Sequence, residues 1–260
     1  MVLLPNRQHP IYSNMQHDRV VPYGDSAASK KAQVAQMFDN VAQRYDFLNH
    51  LLSLGIDRYW RWYAINQLKT IQPRTLLDVA TGTGDLAIAA LSLKPDHVTG
   101  IDISEGMLAL GKQKIAQGNM GDKITLMYGD AENLTFSANS FDAITSSFGV
   151  RNFENLEKGL SELYRVLKPK GKIVIVEFSK PQIFPIKQLF AFYFRYILPF
   201  VGRLFSKDQQ AYTYLPESVQ AFPERAEFTA ILDNIGFVQT RHIPLSLGIC
   251  AVYTAIKEGE

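Results

Sequence analysis

The sequence predicts an α/β fold, a mostly parallel sheet with helices on both faces. Short apolar runs rich in β-type residues alternate with segments of helical period from Thr75 onward. The first run breaks at Thr81-Gly-Thr-Gly-Asp85 and passes straight into the helix-forming stretch Leu86-Ala-Ile-Ala-Ala-Leu91. Such strand–turn–helix repeats give parallel strands, whose ligands bind beyond the strands' carboxyl ends.

The elements follow in order. Residues 1–30 are polar, and the opening Met-Val-Leu-Leu is too short for a signal-peptide core, so a flexible tail is expected there. Residues 31–260 read as one domain that begins with N-terminal helices over 31–70. Val34, Met37, Phe38, Val41, Tyr45, Leu48 and Leu52 recur at three- and four-residue steps, which predicts an amphipathic helix over 31–52. Gly55 stops it, and Asp57 is placed to cap a second helix over 58–68. That helix gathers Tyr59, Trp60, Trp62 and Tyr63 beside Arg58 and Arg61, either as core with arginine stems lying on it or as one wall of an apolar cleft.

Strands are predicted at 76–80, 98–102, 124–128, 141–147 and 172–178, with helices at 85–93, 105–117 and 155–167. A helix over 222–235 ends at Gly236, and a terminal hairpin at 237–242 and 249–257 adds the sixth and seventh strands. Between them, 183–221 reads as an apolar insertion. Residues 183–205 are almost continuously apolar and aromatic, but Lys187, Arg195, Arg203 and Pro199 interrupt them and argue against a membrane span. Cations beside aromatics suit a segment lying on a membrane or lidding a greasy tunnel; a buried lid helix or an oligomer contact is the plainer alternative.

The bulk numbers exclude some classes. With 47% hydrophobic and 20% charged residues and a net charge of +2, the chain is ordinary for a soluble protein, and nothing global favours nucleic acid. One cysteine, Cys250, rules out an internal disulfide framework and fits a reducing compartment. The five histidines show no zinc-ligand spacing, so no metal is expected. No Walker lysine follows the glycines, and no G-x-S-x-G elbow is present.

The glycine turn admits two ligands. Gly82-x-Gly84-x-x-Ala87, with Asp102 some twenty residues on, satisfies the loose dinucleotide fingerprint. Yet Asp78, Asp85, Asp102 and the pair Asp130-Ala-Glu132 crowd the same strand ends. Two unit charges about 4 Å apart interact by about 4 kcal/mol at a protein surface. A pyrophosphate would meet repulsion of that order, while the sulfonium and ammonium of S-adenosylmethionine (SAM) would meet attraction, so SAM is favoured over NAD. A carboxylate at Asp102 suits the ribose diol. Asp130 and the Ala131 N–H suit the adenine edge. After the fourth strand comes Ser146-Ser-Phe-Gly-Val-Arg-Asn152. Enzymes that methylate base or amide nitrogen commonly carry Asn/Asp-Pro-Pro-aromatic there, so nucleic-acid methylation is disfavoured. Arg151 and Asn152 face the reacting centre, where Arg151 would stabilise an oxyanion. Its alternative is a salt bridge to Glu154 or Glu157.

These residues resemble the SAM-dependent C-methyltransferases of ubiquinone and menaquinone biosynthesis. The resemblance is carried by Met37-Phe-Asp-Asn-Val-Ala-x-x-Tyr45-Asp-x-x-Asn49, Leu77-Asp-Val-Ala-Thr-Gly-Thr-Gly-Asp85, Phe148-Gly-Val-Arg-Asn152, Glu177-Phe-Ser-Lys-Pro181 and Tyr214-Leu-Pro-Glu-Ser218. It implies a class I, Rossmann-like methyltransferase fold of seven strands and a polyprenylated quinol acceptor. The wording of the glycine turn and of Tyr212-Thr-Tyr-Leu-Pro is similar to menaquinone-pathway members. The implied reaction is therefore demethylmenaquinol to menaquinol, the last step of that pathway. The resemblance further implies SAM contacts at Thr83, Asp102, Asp130, Ala131 and Ser147, beside Asp78, Gly82 and Gly84 of the turn. It implies catalytic assistance from Tyr45, Arg151 and Asn152. A cytoplasmic protein is expected, in peripheral contact with the inner face of the membrane and forming a homodimer. The alternatives are a benzoquinol acceptor, another SAM enzyme, an NAD-linked oxidoreductase and a non-catalytic SAM-binding scaffold.

Overall fold

The structure, a computed structural model, describes residues 15–24, 27–198, 200, 208 and 210–259. Three helices precede the sheet: α1 (Gln16–Arg19), α2 (Lys30–Leu52) and α3 (Ile56–Asn66). Strand β1 (Thr75–Val79), α4 (Asp85–Ala90), β2 (His97–Asp102), α5 (Glu105–Gln117) and β3 (Ile124–Tyr128) follow. Next come β4 (Phe141–Ser147), α6 (Leu156–Val166) and β5 (Leu167–Phe178). The chain then forms α7 (Ile186–Phe192), a π-helical turn at Tyr193–Ile197, α8 (Gln210–Ala221) and α9 (Ala226–Ile235). It ends with β6 (Phe237–Leu245) and β7 (Cys250–Lys257).

The strands form one seven-stranded sheet in the order β3-β2-β1-β4-β5-β7-β6. β1 to β5 pair in parallel, and β7 runs antiparallel between β5 and β6. The order reverses between β1 and β4, which places the switch point of the sheet at their carboxyl ends. This is the expected α/β class.

Both faces of the sheet are covered because its central strands are apolar on both sides. Leu77, Ile144, Ile175 and Tyr253 pack on one face with Leu160, Leu163, Phe228 and Leu232 from α6 and α9. The neighbouring Leu76, Ala143, Val174 and Val252 point the other way, against Trp60, Ala64, Leu86 and Ile115. The change of face at each step is the period of a strand.

Several boundaries differ from expectation for local reasons. β5 starts at Leu167 instead of 172, since Leu167 pairs with Phe141 before a register shift. The helix expected over 222–235 begins at Ala226, because Arg225 takes φ 60, ψ −123, outside the helical region. Phe222 instead follows α8, which runs through Pro216. Asp57 does not cap α3; a left-handed Gly55 precedes the helix. Of the expected tail, residues 1–14, 25 and 26 lie outside the described residues. Within it His17 is buried, and its Nε2 donates to the Arg151 carbonyl at 2.6 Å. In the apolar insertion, Pro199 and Arg203 lie outside the described residues. Among the described residues, no helix is long and apolar enough to cross a membrane.

Candidate active site

The turn after β1 is built on backbone that enters the left-handed region three times, at Ala80 (φ 53), Gly82 (φ 56) and Gly84 (φ 84). It is held from below. Asp78 accepts from the hydroxyls of Thr81 (2.6 Å) and Thr145 (2.7 Å), and burial pushes its carboxyl up to about 6. Asp78 therefore lies under the turn and does not line the cleft above it. Thr83 also turns away: its hydroxyl donates to Asp46 (2.7 Å) and accepts from Lys114 (3.0 Å). Gly84 precedes α4 and likewise does not line the cleft.

The cleft itself lies over β1, β2 and β4. Gly82, Asp102, Asp130, Ala131 and Ser147 line it, together with Tyr45 and Asn152. Asp102, at the end of β2, accepts from the N–H groups of Gly82 (2.7 Å) and Ser104 (2.9 Å). Burial raises its pKa against those bonds. Asp130 accepts from the Glu132 N–H (2.9 Å) and lies 2.6 Å from Lys31 Nζ. Lys31 also stands 3.4 Å from Glu132.

The carboxylates counted from sequence need correcting. Asp85 is not at the cleft; Arg61 (2.9 Å) and Lys114 (2.7 Å) hold it. Burial opposes its ionisation, but the two cations outweigh burial and lower its pKa. The cleft keeps a negative lining from Asp102, Asp130, Glu132 and Glu154. The Gly82 N–H, which a dinucleotide phosphate would need, is committed to Asp102. The donor set therefore suits a cationic nucleoside better than a pyrophosphate.

A second cavity of about 630 Å³ adjoins the cleft. Helix α2 separates the two: Lys31, Val34, Phe38 and Tyr45 face the cleft, while Met37, Val41, Leu48 and Leu52 face the chamber. This is the expected amphipathic period serving two adjacent faces. The chamber's other walls are Trp60 and Arg61 of α3, Phe190, Tyr193 and Phe194 of the insertion, and Tyr212 and Tyr214 of α8. Only Phe38, Tyr45 and Phe148 line both cavities among the described residues.

The turn after β4 reaches both cavities from one element, the 3₁₀ turn Val150–Asn152. Arg151 lines the chamber and Asn152 the cleft. Neither partner considered for Arg151, Glu154 or Glu157, holds it. Its Nη1 donates to Glu177 Oε1 at 2.9 Å and to the Phe148 carbonyl. Its buried Nε has no partner among the described residues. Burial raises the pKa of Glu177, and the Arg151 charge opposes the rise. Asn152 donates to the Phe148 carbonyl (3.3 Å) and accepts from the Tyr214 hydroxyl (3.1 Å). Burial raises the Tyr45 hydroxyl, so it stays protonated at neutral pH. Among the described residues no group of three or more His, Cys, Asp or Glu side chains is placed to hold a metal.

Sequence reasoning missed Glu177, Tyr214 and Lys31 as parts of the site. Glu177 did leave a signal, a single carboxylate at the end of the otherwise apolar run Ile173-Val-Ile-Val176. Lys31 and Tyr214 left none, since their partners are 99 and 62 residues away.

Known proteins resemble this chain over most of its length. A profile described as the ubiE/COQ5 methyltransferase family matches residues 26–257. The chain is 48% identical over 245 residues to a demethylmenaquinone methyltransferase of Bacteroides fragilis, covering 94% of this chain and 100% of that one. It is 45% identical to the demethylmenaquinone methyltransferase of Porphyromonas gingivalis, over 92% of this chain and 98% of that one. It is 47% identical to a ubiquinone/menaquinone biosynthesis C-methyltransferase of Geotalea daltonii, over 88% and 97%. Among solved structures, a putative SAM-dependent methyltransferase of Methanococcus maripaludis shares the fold at a TM-score of 0.60 and 22% identity, covering 86% of this chain and 94% of that one.

Proposed function

The chain belongs to the ubiE/COQ5 methyltransferase family, and from that premise we propose that it methylates a ring carbon of a polyprenylated naphthoquinol, converting a demethylmenaquinol to a menaquinol. It is a SAM-dependent C-methyltransferase. One observation supports the assignment of roles above all others. A negatively lined nucleoside cleft and a large apolar chamber meet at Tyr45, and consecutive residues of one turn, Arg151 and Asn152, face one cavity each.

Asp102 would hold the ribose hydroxyls, and Asp130 with Ala131 the adenine edge, with Gly82 and Ser147 completing the lining. When bound, SAM supplies a methyl group made electrophilic by its sulfonium. The protein's remaining work lies on the acceptor side. Loss of a quinol hydroxyl proton to bulk solvent as the acceptor binds places negative charge on the ring oxygen and raises electron density at the neighbouring carbon. That carbon takes the methyl group, with neutral S-adenosylhomocysteine leaving, and then releases its own hydrogen as a proton to restore the aromatic ring. Arg151, anchored at Nη1 and lining the chamber, brings its positive charge to the ring oxygen and stabilises it. Asn152, clamped between Tyr214 and the Phe148 carbonyl, keeps its amide fixed at the cleft side of the same turn. Tyr45 remains protonated and donates a hydrogen bond where the cavities meet. The chamber excludes water from this charge, which strengthens the Arg151 interaction.

The chamber's mouth supports contact with a membrane at its cytoplasmic face. Leu54, Ile56 and Leu189 line the chamber yet are 91%, 39% and 60% exposed. A polyprenyl tail leaving the chamber would pass over them. The test is methyl transfer from isotope-labelled SAM to a demethylmenaquinol under reducing conditions, read by mass spectrometry. A labelled methyl on the naphthoquinol ring is expected. Intact SAM binding with no transfer to any quinol would overturn the proposal.

A further inference from the structure

We propose that His17 is a positioning residue for Arg151: an imidazole from the N-terminal segment fixes the peptide that joins Arg151 to Asn152. The inference rests on the reading of Arg151 given above and adds a residue that touches neither substrate.

The need for such a residue arises in the turn itself. The 3₁₀ turn Val150–Asn152 closes with two backbone bonds. The Asn152 N–H donates to the Gly149 carbonyl (2.9 Å), and the Phe153 N–H donates to the Val150 carbonyl (3.2 Å). Neither bond uses the Arg151 carbonyl. Arg151 is buried, and a buried carbonyl without a donor is costly. His17 supplies the donor. A carbonyl can only accept, so the ring nitrogen 2.6 Å away, Nε2, carries the hydrogen.

This bond completes the hold on Arg151. Glu177 of β5 takes the Arg151 N–H with Oε2 (3.3 Å) and Nη1 with Oε1 (2.9 Å). Those two contacts share one carboxylate on one strand. His17 holds the next peptide, from α1, and so restrains the residue from a second element. The peptide it holds links the residue that faces the chamber to the residue that faces the cleft.

The imidazole is itself held. Its Nδ1 lies 3.0 Å from Asp18 Oδ1, and its ring stands edge-on to Phe222 with centroids 5.9 Å apart. Lys30 Nζ donates to the His17 carbonyl at 2.8 Å. His17 and Lys30 are 1% and 4% exposed. Burying two such polar side chains is costly unless they are bonded, so the segment is seated here and not resting on a surface. Among the described residues, His17 lines neither the cleft nor the chamber. Its effect on the reaction therefore passes through Arg151.

Two substitutions separate the ring nitrogens. The amide of His17→Gln reaches about as far as Nε2 and keeps a donor for the Arg151 carbonyl. The amide of His17→Asn reaches about as far as Nδ1; it keeps a partner for Asp18 and leaves the carbonyl unpaired. Single-turnover methyl transfer to a demethylmenaquinol is measured for each, with SAM affinity by calorimetry and folding by thermal melts. His17→Asn should lose about tenfold in rate with SAM affinity and the quinol KM unchanged, while His17→Gln should stay within about threefold of wild type. In an Arg151→Ala background, His17→Asn should cost less than about twofold, because the group it positions is gone. The same loss in both backgrounds would mark His17 as merely structural and overturn the proposal. So would a His17→Asn protein at the wild-type rate, or a tenfold loss in a folded His17→Gln protein. Should His17→Asn not fold, His17→Gln decides alone. Arg151→Ala at full rate would bring down the reading of Arg151, and a wild type inactive on every quinol the quinol reading; this inference would fall with either.

Discussion

Arg151 Nη1 stands 2.9 Å from Glu177 Oε1, and Glu177 is wholly closed to solvent. Removing one member of a buried ion pair leaves the other charge without compensation, a loss of about 3–5 kcal/mol. Glu177→Ala should therefore destabilise the protein by about that amount and abolish most turnover, because the guanidinium loses its anchor. Glu177→Gln keeps an acceptor for Nη1 and should fall between. Denaturant unfolding and single-turnover rates measure the two effects. Full turnover in a folded Glu177→Ala protein would show that Arg151 needs no anchor.

Gly149 marks a contact between the two loops that form the site. A Cβ placed there would meet the Ala80 Cβ at 2.4 Å and Ser146 Oγ at 3.0 Å. The Ala80 Cβ is fixed by the backbone while Ser146 Oγ can rotate, so the overpacking against Ala80 should cost about 1–3 kcal/mol. Because Ala80 belongs to the nucleoside turn, Gly149→Ala should also weaken SAM binding. Adding Ala80→Gly removes the clash and suits the positive φ at that position. The double variant should recover most of both losses in thermal melts and calorimetry.

Asp78 predicts a dependence on pH. Burial raises its carboxyl from 3.8 to about 6 in the folded protein. A folded pKa above the unfolded one stabilises the native state fully below the lower value, and this contribution is lost as pH rises through the higher. The gap corresponds to about 3 kcal/mol lost between roughly pH 4 and pH 6. Asp78→Asn does not titrate, and its amide can still meet the Thr81 and Thr145 hydroxyls. The stability of the variant relative to wild type should therefore grow across that window. Unfolding free energies at about pH 4.5 and pH 7 test it; a constant difference would place the Asp78 pKa at its ordinary value.

How much of this was legible in the sequence depends on the range of the interactions involved. β1, β3 and β4 are visible because each is an apolar β-type run, and Asp102, Asp130 and Ser147 because they follow such runs directly. The glycine turn is visible because its positive φ values demand particular residues. What escapes is what distant partners impose. Asp57 resembles a cap, but His50 (2.9 Å) and Arg61 draw its carboxylate into a side-chain hydrogen-bond network. The apolar insertion gives no sign of α8, which runs through Pro216 with Tyr212 and Tyr214 packed against α2. Residues 15–24 look featureless, though His17 and Tyr23 bond to positions 134 and 185 residues away. Helical or strand period shows neither the pairing of Arg151 with Glu177 nor the way α2 divides two cavities.

Leu54 and Leu189 separate membrane delivery from chemistry. Both line the chamber's mouth and both are mostly exposed, so polar substitution there should leave folding intact. Burial of one leucine contributes about 1.5–3 kcal/mol. If the mouth sits in a lipid surface, Leu54→Asp with Leu189→Asp should lower vesicle affinity by roughly two orders of magnitude or more, through lost burial and the introduced charge. Turnover of a long-chain quinol presented in vesicles should fall with it. Turnover of a short-chain quinol dissolved in water should stay near wild type, because Arg151, Asn152 and Tyr45 are untouched. Equal losses on the two substrates would mean that the substitutions had disturbed the chamber. Unchanged vesicle binding would place the membrane-contacting face elsewhere. The comparison is informative because lipid delivery and methyl transfer use different residues of one cavity.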